Sequence, residues 1–151
     1  SLVRYPRGGG TGTPPAPTLD TLPVGKGERR RQGKDIALLA FGSLVPAAEA
    51  AGEVLDATVA NMRFIKPLDA DLVVELAGNH SLLVSIEENA VIGGAGSEIE
   101  RVLAERGIHT PVLCLGLPDR FIDHGEQGQL LAELGLDKDG IVRAVRAAIQ
   151  P

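Results

Sequence analysis

Tryptophan is absent from this chain, tyrosine occurs once and phenylalanine three times. So few aromatic rings supply no platform on which bases could stack. Basic residues are also in deficit, 15 Lys and Arg against 20 Asp and Glu, a formal charge of −5. That balance opposes a general nucleic-acid or anionic-membrane binder. Cysteine is present once, as Cys114, which excludes an intramolecular disulfide framework and makes a reducing cytoplasmic compartment the natural home. Apolar runs approaching the roughly 18–20 residues of a membrane span are missing. The first residues also lack the charged-then-apolar layout of a signal peptide. What is present is 151 residues, 44% of them hydrophobic, enough for one ordinary core that removes roughly 68–70% of the unfolded surface from water.

Composition changes along the chain. Five of the ten prolines fall in the first 27 residues, with Gly8, Gly9, Gly10, Gly12, Gly25 and Gly27. Proline lacks a ladder donor and glycine costs entropy to order, so residues 8–26 read as a linker. Ahead of it, Ser1-Leu2-Val3-Arg4-Tyr5 is strand-like without a neighbouring partner, as the last strand of a preceding domain would be. From Lys34 onward the pattern is regular. Ile36–Phe41, Ala57–Asn61, Ser81–Ile86 and Pro111–Gly116 read as strands, the first as a continuous apolar run buried on both faces. Ser43–Leu55, Ala70–Ala77 behind an Asp69 cap, Ala95–Arg106, Gln127–Leu134 and Asp139–Ile149 read as helices. The Lys26–Arg31 stretch, with three consecutive arginines, suits a charged edge strand. Strands alternating with helices predict a three-layer α/β/α fold around a mostly parallel five-stranded sheet with an antiparallel edge strand.

In such a sheet chemistry gathers outside the carboxyl ends of the strands. Three strand-ending segments are polar or glycine-rich. Glu87-Glu88-Asn89 precedes Gly93-Gly94-Ala95-Gly96-Ser97 and a helix. Free N–H groups at a glycine-rich helix start can hold a small anion, but the spacing is neither a dinucleotide fingerprint nor a P-loop. The plainer reading is a tight turn capped by Ser97. Glu87 and Glu88 are neighbours on a strand and point to opposite faces, so they do not form an acid/base pair. Asn61–Asp69 contains Arg63 and Lys66 but also reads as a loop entering a helix. Gly116–Gly125 holds Asp119, Asp123 and His124, without a nucleophile tied to them by motif. Finally, Arg4-Tyr5-Pro6-Arg7-Gly8 places two arginines around a fixed-φ proline, which fits either a phosphate clamp or a solvated strand end.

In their order, Tyr5-Pro6-Arg7-Gly8, Ile36–Gly42, Arg63–Asp69, Glu87-Glu88-Asn89, Gly93–Ser97, Gly116–Gly125 and Ala132–Asp137 resemble the C-terminal part of the bacterial 1-deoxy-D-xylulose-5-phosphate synthase family. These are transketolase-like transferases. The set covers nearly the whole chain; the segment after Gly8 carries little of it. The resemblance implies a homodimeric, cytoplasmic three-domain enzyme that condenses pyruvate with D-glyceraldehyde 3-phosphate, losing carbon dioxide. Thiamine diphosphate and magnesium are implied as cofactors, and isoprenoid, thiamine and pyridoxal synthesis as destinations. It implies that residues 1–7 end the pyrimidine-binding domain and that 27–151 form the transketolase-type C-terminal domain, which packs against the other domains and the second subunit. Cofactor, metal and catalytic groups are implied to lie in domains outside this chain, leaving it inactive alone. Arg7 matches the family arginine that holds the aldehyde's phosphate, with Arg4 and Tyr5 positioning it.

Overall fold

A computed structural model describes residues 21–150. Arg4, Tyr5 and Arg7, together with residues 8–20 of the linker, lie outside the described residues. In chain order the elements are β1 (Glu28–Arg31), β2 (Ile36–Ala40), α1 (Val45–Leu55), β3 (Thr58–Asn61), α2 (Ala70–Asn79), β4 (Leu82–Ala90), α3 (Ala95–Glu105), β5 (Val112–Leu117), α4 (Gln127–Glu133) and α5 (Lys138–Ile149). The strands form one sheet in the order β1-β3-β2-β4-β5. β2, β3, β4 and β5 are parallel, and β1 pairs antiparallel with β3 at one edge. The expected architecture is therefore the observed one.

The strand pleat divides the core in two. Ile36, Leu38 and Ala40 of β2 point into one layer with Val59, Val84 and Ile86, covered by Leu44, Val45, Ala48 and Ala51 around α1 and by Ile141 and Val145 of α5. Ala37, Leu39 and Phe41 point the other way, with Ala60, Met62 and Leu83, beneath Val73 and Leu76 of α2 and Ile99 and Leu103 of α3. Each fully buried Leu or Ile here contributes about 1.5–3 kcal/mol of transfer free energy. Because β2 is central, both of its faces are dry, which is why its sequence is a continuous apolar run rather than an alternating one.

β1 shows what its arginines do. Arg29 pairs with Glu75 of α2, Arg30 with Glu49 of α1 at 2.7 Å, and Arg31 with Asp56 at 2.8 Å. The edge strand thus reaches the helices on both faces through charge, while its backbone carries an irregular register between Arg29 and Arg31. The other sheet edge is built differently. All of β5 is half-buried, including Cys114, because β5 has β4 on one side only.

Asp69 caps α2 as its type and place predict, accepting from the Leu72 N–H at 3.3 Å. It also binds the Gly27 N–H at 3.0 Å and Lys26 Nζ at 3.2 Å. Burial alone pushes this carboxyl up, but the Gly27 and Leu72 N–H groups and the Lys26 ammonium outweigh it and hold it below its ordinary 3.8. A carboxyl whose folded value is lowered contributes stability that is complete above the unfolded value and is lost as pH falls through the folded one. Asp69→Asn should therefore flatten the dependence of Tm on pH below about pH 4 relative to the native chain. Parallel slopes for the two proteins would remove Asp69 from the acid limb.

Candidate functional site

β2 connects to β3 on one side and β4 lies on its other side, so the strand order reverses between β2 and β4. The crevice outside the carboxyl ends of these two strands is where open α/β sheets ordinarily bind ligands. Here Ser43, which follows β2, donates a hydrogen bond to Glu88 of β4.

Glu87 ends the buried part of β4 and is 2% exposed. Its Oε2 accepts the Ala95 N–H at 2.9 Å and its Oε1 the Gly96 N–H at 3.0 Å. These are the free amides of the first turn of α3, where the helix dipole favours negative charge. The carboxylate approaches because residue 94 has no side chain: a Cβ there would lie 2.4 Å from Oε1 and 2.4 Å from the Ala90 carbonyl oxygen. Gly93 adopts φ +72° to make the turn, and Ser97 Oγ accepts the Gly93 N–H at 3.2 Å. Ser97 is thus inside the helix bracing the turn, and Glu87 is the cap. The cradle that glycine spacing offers to an external anion already holds one.

Glu88 faces the opposite way and is exposed, as strand geometry predicts. It accepts hydrogen bonds from Ser43, which follows β2, and from Gln127 Nε2 at 3.1 Å, at the start of α4. One residue thereby ties together the loops after β2 and β5. The two adjacent acids have different work, one inside as a cap and one outside as a bridge.

A cleft of about 630 Å³ lies beside this turn, between the loop after β3 and α3, lined by Ile65, Lys66, Pro67, Gly94, Arg101 and Val102 among others. Arg101 is paired with Glu98 at 2.7 Å and with Glu105, so its charge is largely spent on its own helix. Asp119, Asp123 and His124 are exposed on the segment between β5 and α4. Among the described residues, no group of three or more His, Cys, Asp or Glu is arranged to hold a metal ion. His80 closes α2, with Nδ1 2.8 Å from the Leu76 carbonyl oxygen and Nε2 2.8 Å from Thr58 Oγ1. With the tautomer assigned from this network, His80 donates to Leu76 and accepts from the buried Thr58 hydroxyl, which itself accepts the Gly33 N–H at 3.0 Å. His80 is a structural connector between α2 and β3, a role that its isolated place in the sequence did not announce.

Sequence comparison assigns residues 25–141 to the family described as "Transketolase, C-terminal domain". The chain belongs to the transketolase C-terminal domain family. Over all 151 residues it is 86% identical to the 1-deoxy-D-xylulose-5-phosphate synthase of Dechloromonas aromatica (strain RCB), of which it spans 24%. It is 62% identical over 147 residues, 97% of this chain, to the synthase of the same name from Azoarcus sp. (strain BH72), again 24% of that protein. A solved structure described as a split gene transketolase, inactive beta4 tetramer, superposes with a TM-score of 0.77 at 35% identity, covering 89% of this chain and 44% of its own. This chain therefore spans about a quarter of the curated relatives it matches. No helix among the described residues is long and apolar enough to cross a membrane. In this transketolase C-terminal domain the glycine turn before α3 is filled by the Glu87 carboxylate.

Proposed function

We propose that this chain is the C-terminal quarter of a thiamine-diphosphate- and magnesium-dependent 1-deoxy-D-xylulose-5-phosphate synthase, a cytoplasmic homodimer. In this reading the enzyme joins pyruvate to D-glyceraldehyde 3-phosphate with loss of carbon dioxide, and the cofactor and metal sit in its other domains. Identity of 86% with one such synthase, sustained along the entire chain, carries the reading. Residues 27–151 are the packing domain, residues 8–26 the linker and residues 1–7 the end of the pyrimidine-binding domain. Arg7 binds the phosphate of the aldehyde substrate, with Arg4 and Tyr5 holding its guanidinium in place. A planar fork matches phosphate oxygens, and a glycine, having no side chain, permits close approach of a ligand to the backbone.

The full-length polypeptide, given thiamine diphosphate, magnesium and both substrates, should form deoxyxylulose phosphate, and residues 1–151 alone should form none. Losing a charge-assisted phosphate contact costs about 1.5–3 kcal/mol. Arg7→Ala in the full-length enzyme should therefore raise KM for glyceraldehyde phosphate roughly ten- to a hundredfold while that for pyruvate changes little. Equal changes for both substrates would remove Arg7 from the phosphate, and turnover by the isolated domain would overturn the division of labour.

A further inference from the structure

The large hydrophobic side chains left in water are distributed unevenly. Among the described residues seven are strongly exposed: Leu22, Val24, Val54, Ile65, Ile92, Phe121 and Ile149. Ile65 follows β3, Ile92 follows β4 and Phe121 follows β5, so all three stand on loops leaving the carboxyl ends of parallel strands. Ile92 is 74% exposed and Phe121 fully so. Solitary exposed apolar residues need no explanation, but a collection at one end of a sheet marks an interaction surface.

The chain itself enters at this same end. β1 runs antiparallel to β3, with Glu28 opposite Asn61, the last residue of β3. Residues just ahead of β1 lie against the β3–α2 loop: a Cβ on Gly25 would meet Pro67 Cγ at 2.8 Å, and Lys26 Nζ reaches Asp69 at 3.2 Å and Asp71 at 3.4 Å. Leu22 and Val24, also exposed, precede that anchor by a few residues. Five of the seven exposed hydrophobics thus belong to the entry segment or to the loops at the carboxyl edge. Val54 and Ile149 sit near the far ends of α1 and α5 instead.

The geometry points to the carboxyl edge of the sheet as the docking face for the preceding domain of the same polypeptide, with Ile65, Ile92 and Phe121 as its apolar anchors. This rests on the reading of the chain as the terminal domain of a longer synthase. Its relatives are about four times its length, and in that reading the larger body is joined through the segment ahead of β1, whose described residues lie at this edge. The cleft of about 630 Å³ walled by Ile65, Pro67 and Val102 is a ready receptor for an apolar side chain of that body. Glu88, exposed at the centre of the same edge between Ser43 and Gln127, suits a cationic side chain from it. A tether that delivers the partner at the face it covers raises the effective concentration, so modest apolar contacts suffice for stable docking.

The test uses the full-length protein carrying a photoreactive phenylalanine at position 121, 92 or, as control, 54, prepared as a mixture of isotopically heavy and light chains. Irradiation should join positions 121 and 92 to residues upstream of this chain within one polypeptide, while position 54 gives no such product. Heavy–light products from positions 121 and 92 would mean that a second copy covers the face. Absence of cross-links there would mean that it faces water. Either result overturns the proposal. As a second measurement, the exposed double substitution I92E/F121E should speed proteolysis within residues 8–26 of the full-length protein at least tenfold, and V54E should leave the rate unchanged. Equal rates for all three proteins would overturn docking at this edge. Synthase activity assayed in the same unmodified preparation keeps the two ideas apart. Loss of the catalytic reading shows as no turnover, whatever the cross-links, and loss of the docking face shows as misplaced cross-links in an active enzyme.

Discussion

Glu87→Ala should be among the most damaging single changes in the domain, lowering its stability by about 3–5 kcal/mol. The carboxylate accepts two N–H bonds in a site closed to water, and each charge-assisted bond of this kind contributes about 1.5–3 kcal/mol. Truncation also strands the Ala95 and Gly96 amides, both buried, with no acceptor supplied by the helix itself. Glu87→Gln keeps the shape and one acceptor oxygen but sets an amide NH2 against a backbone donor, so it should lose roughly half as much. Thermal denaturation of the pair gives the comparison. A domain this size shifts by roughly 2–4 °C per kcal/mol, and a loss below about 3 °C for the alanine variant would show that another group caps α3.

Gly33→Ala should cost about 3 kcal/mol, the upper end of what overpacking usually costs. A Cβ at residue 33 would fall 2.2 Å from the Ala57 carbonyl carbon, 2.3 Å from the Asp56 oxygen and 2.5 Å from the Ala57 oxygen. These are backbone atoms at the start of β3, and they cannot rotate away as a side chain does. The neighbouring amides are committed too: Lys34 donates to the Asp56 carbonyl at 2.7 Å and Gly33 to Thr58 at 3.0 Å. Gly107→Ala is the contrast. Gly107 has φ +66° and open space where a Cβ would stand, so only the left-handed backbone penalty of about 1–2 kcal/mol applies. Chemical denaturation should rank Gly33→Ala well below Gly107→Ala in stability. The opposite order would mean that β1 and β3 can part without consequence.

The two glycines look alike in sequence, and so do the two adjacent glutamates. Strand alternation was enough to separate Glu87 from Glu88 by face. It could not show that the inward one would meet the helix start eight residues later, because the path of Asn89–Gly94 decides that meeting. A glycine-rich helix entry after an acidic strand end carried two meanings, an anion site or a self-capped turn. Three-dimensional closure selected the second. Asp69 was legible because an N-cap is a local device spanning three residues, whereas its bonds to Lys26 and Gly27 cross more than forty positions. Cys114 has apolar neighbours on both sides in the sequence and is only half-buried. Its half-burial follows from β5 being an edge, a property of strand order.

Periodicity, caps and element alternation lie within a few residues of one another, and they were sufficient for the layers, the parallel sheet and the antiparallel charged edge strand. The order of segments such as Arg63–Asp69 and Gly116–Gly125 was likewise sufficient to suggest a transketolase-type domain. Tertiary structure alone decided that Glu87 occupies the anion cradle, that His80 and Thr58 link α2 to β3, and that exposed apolar side chains gather where the chain enters. Those outcomes depend on close approach between segments far apart in sequence. Such approach is set by the packing of the whole sheet and its helices, and no short window of residues encodes it.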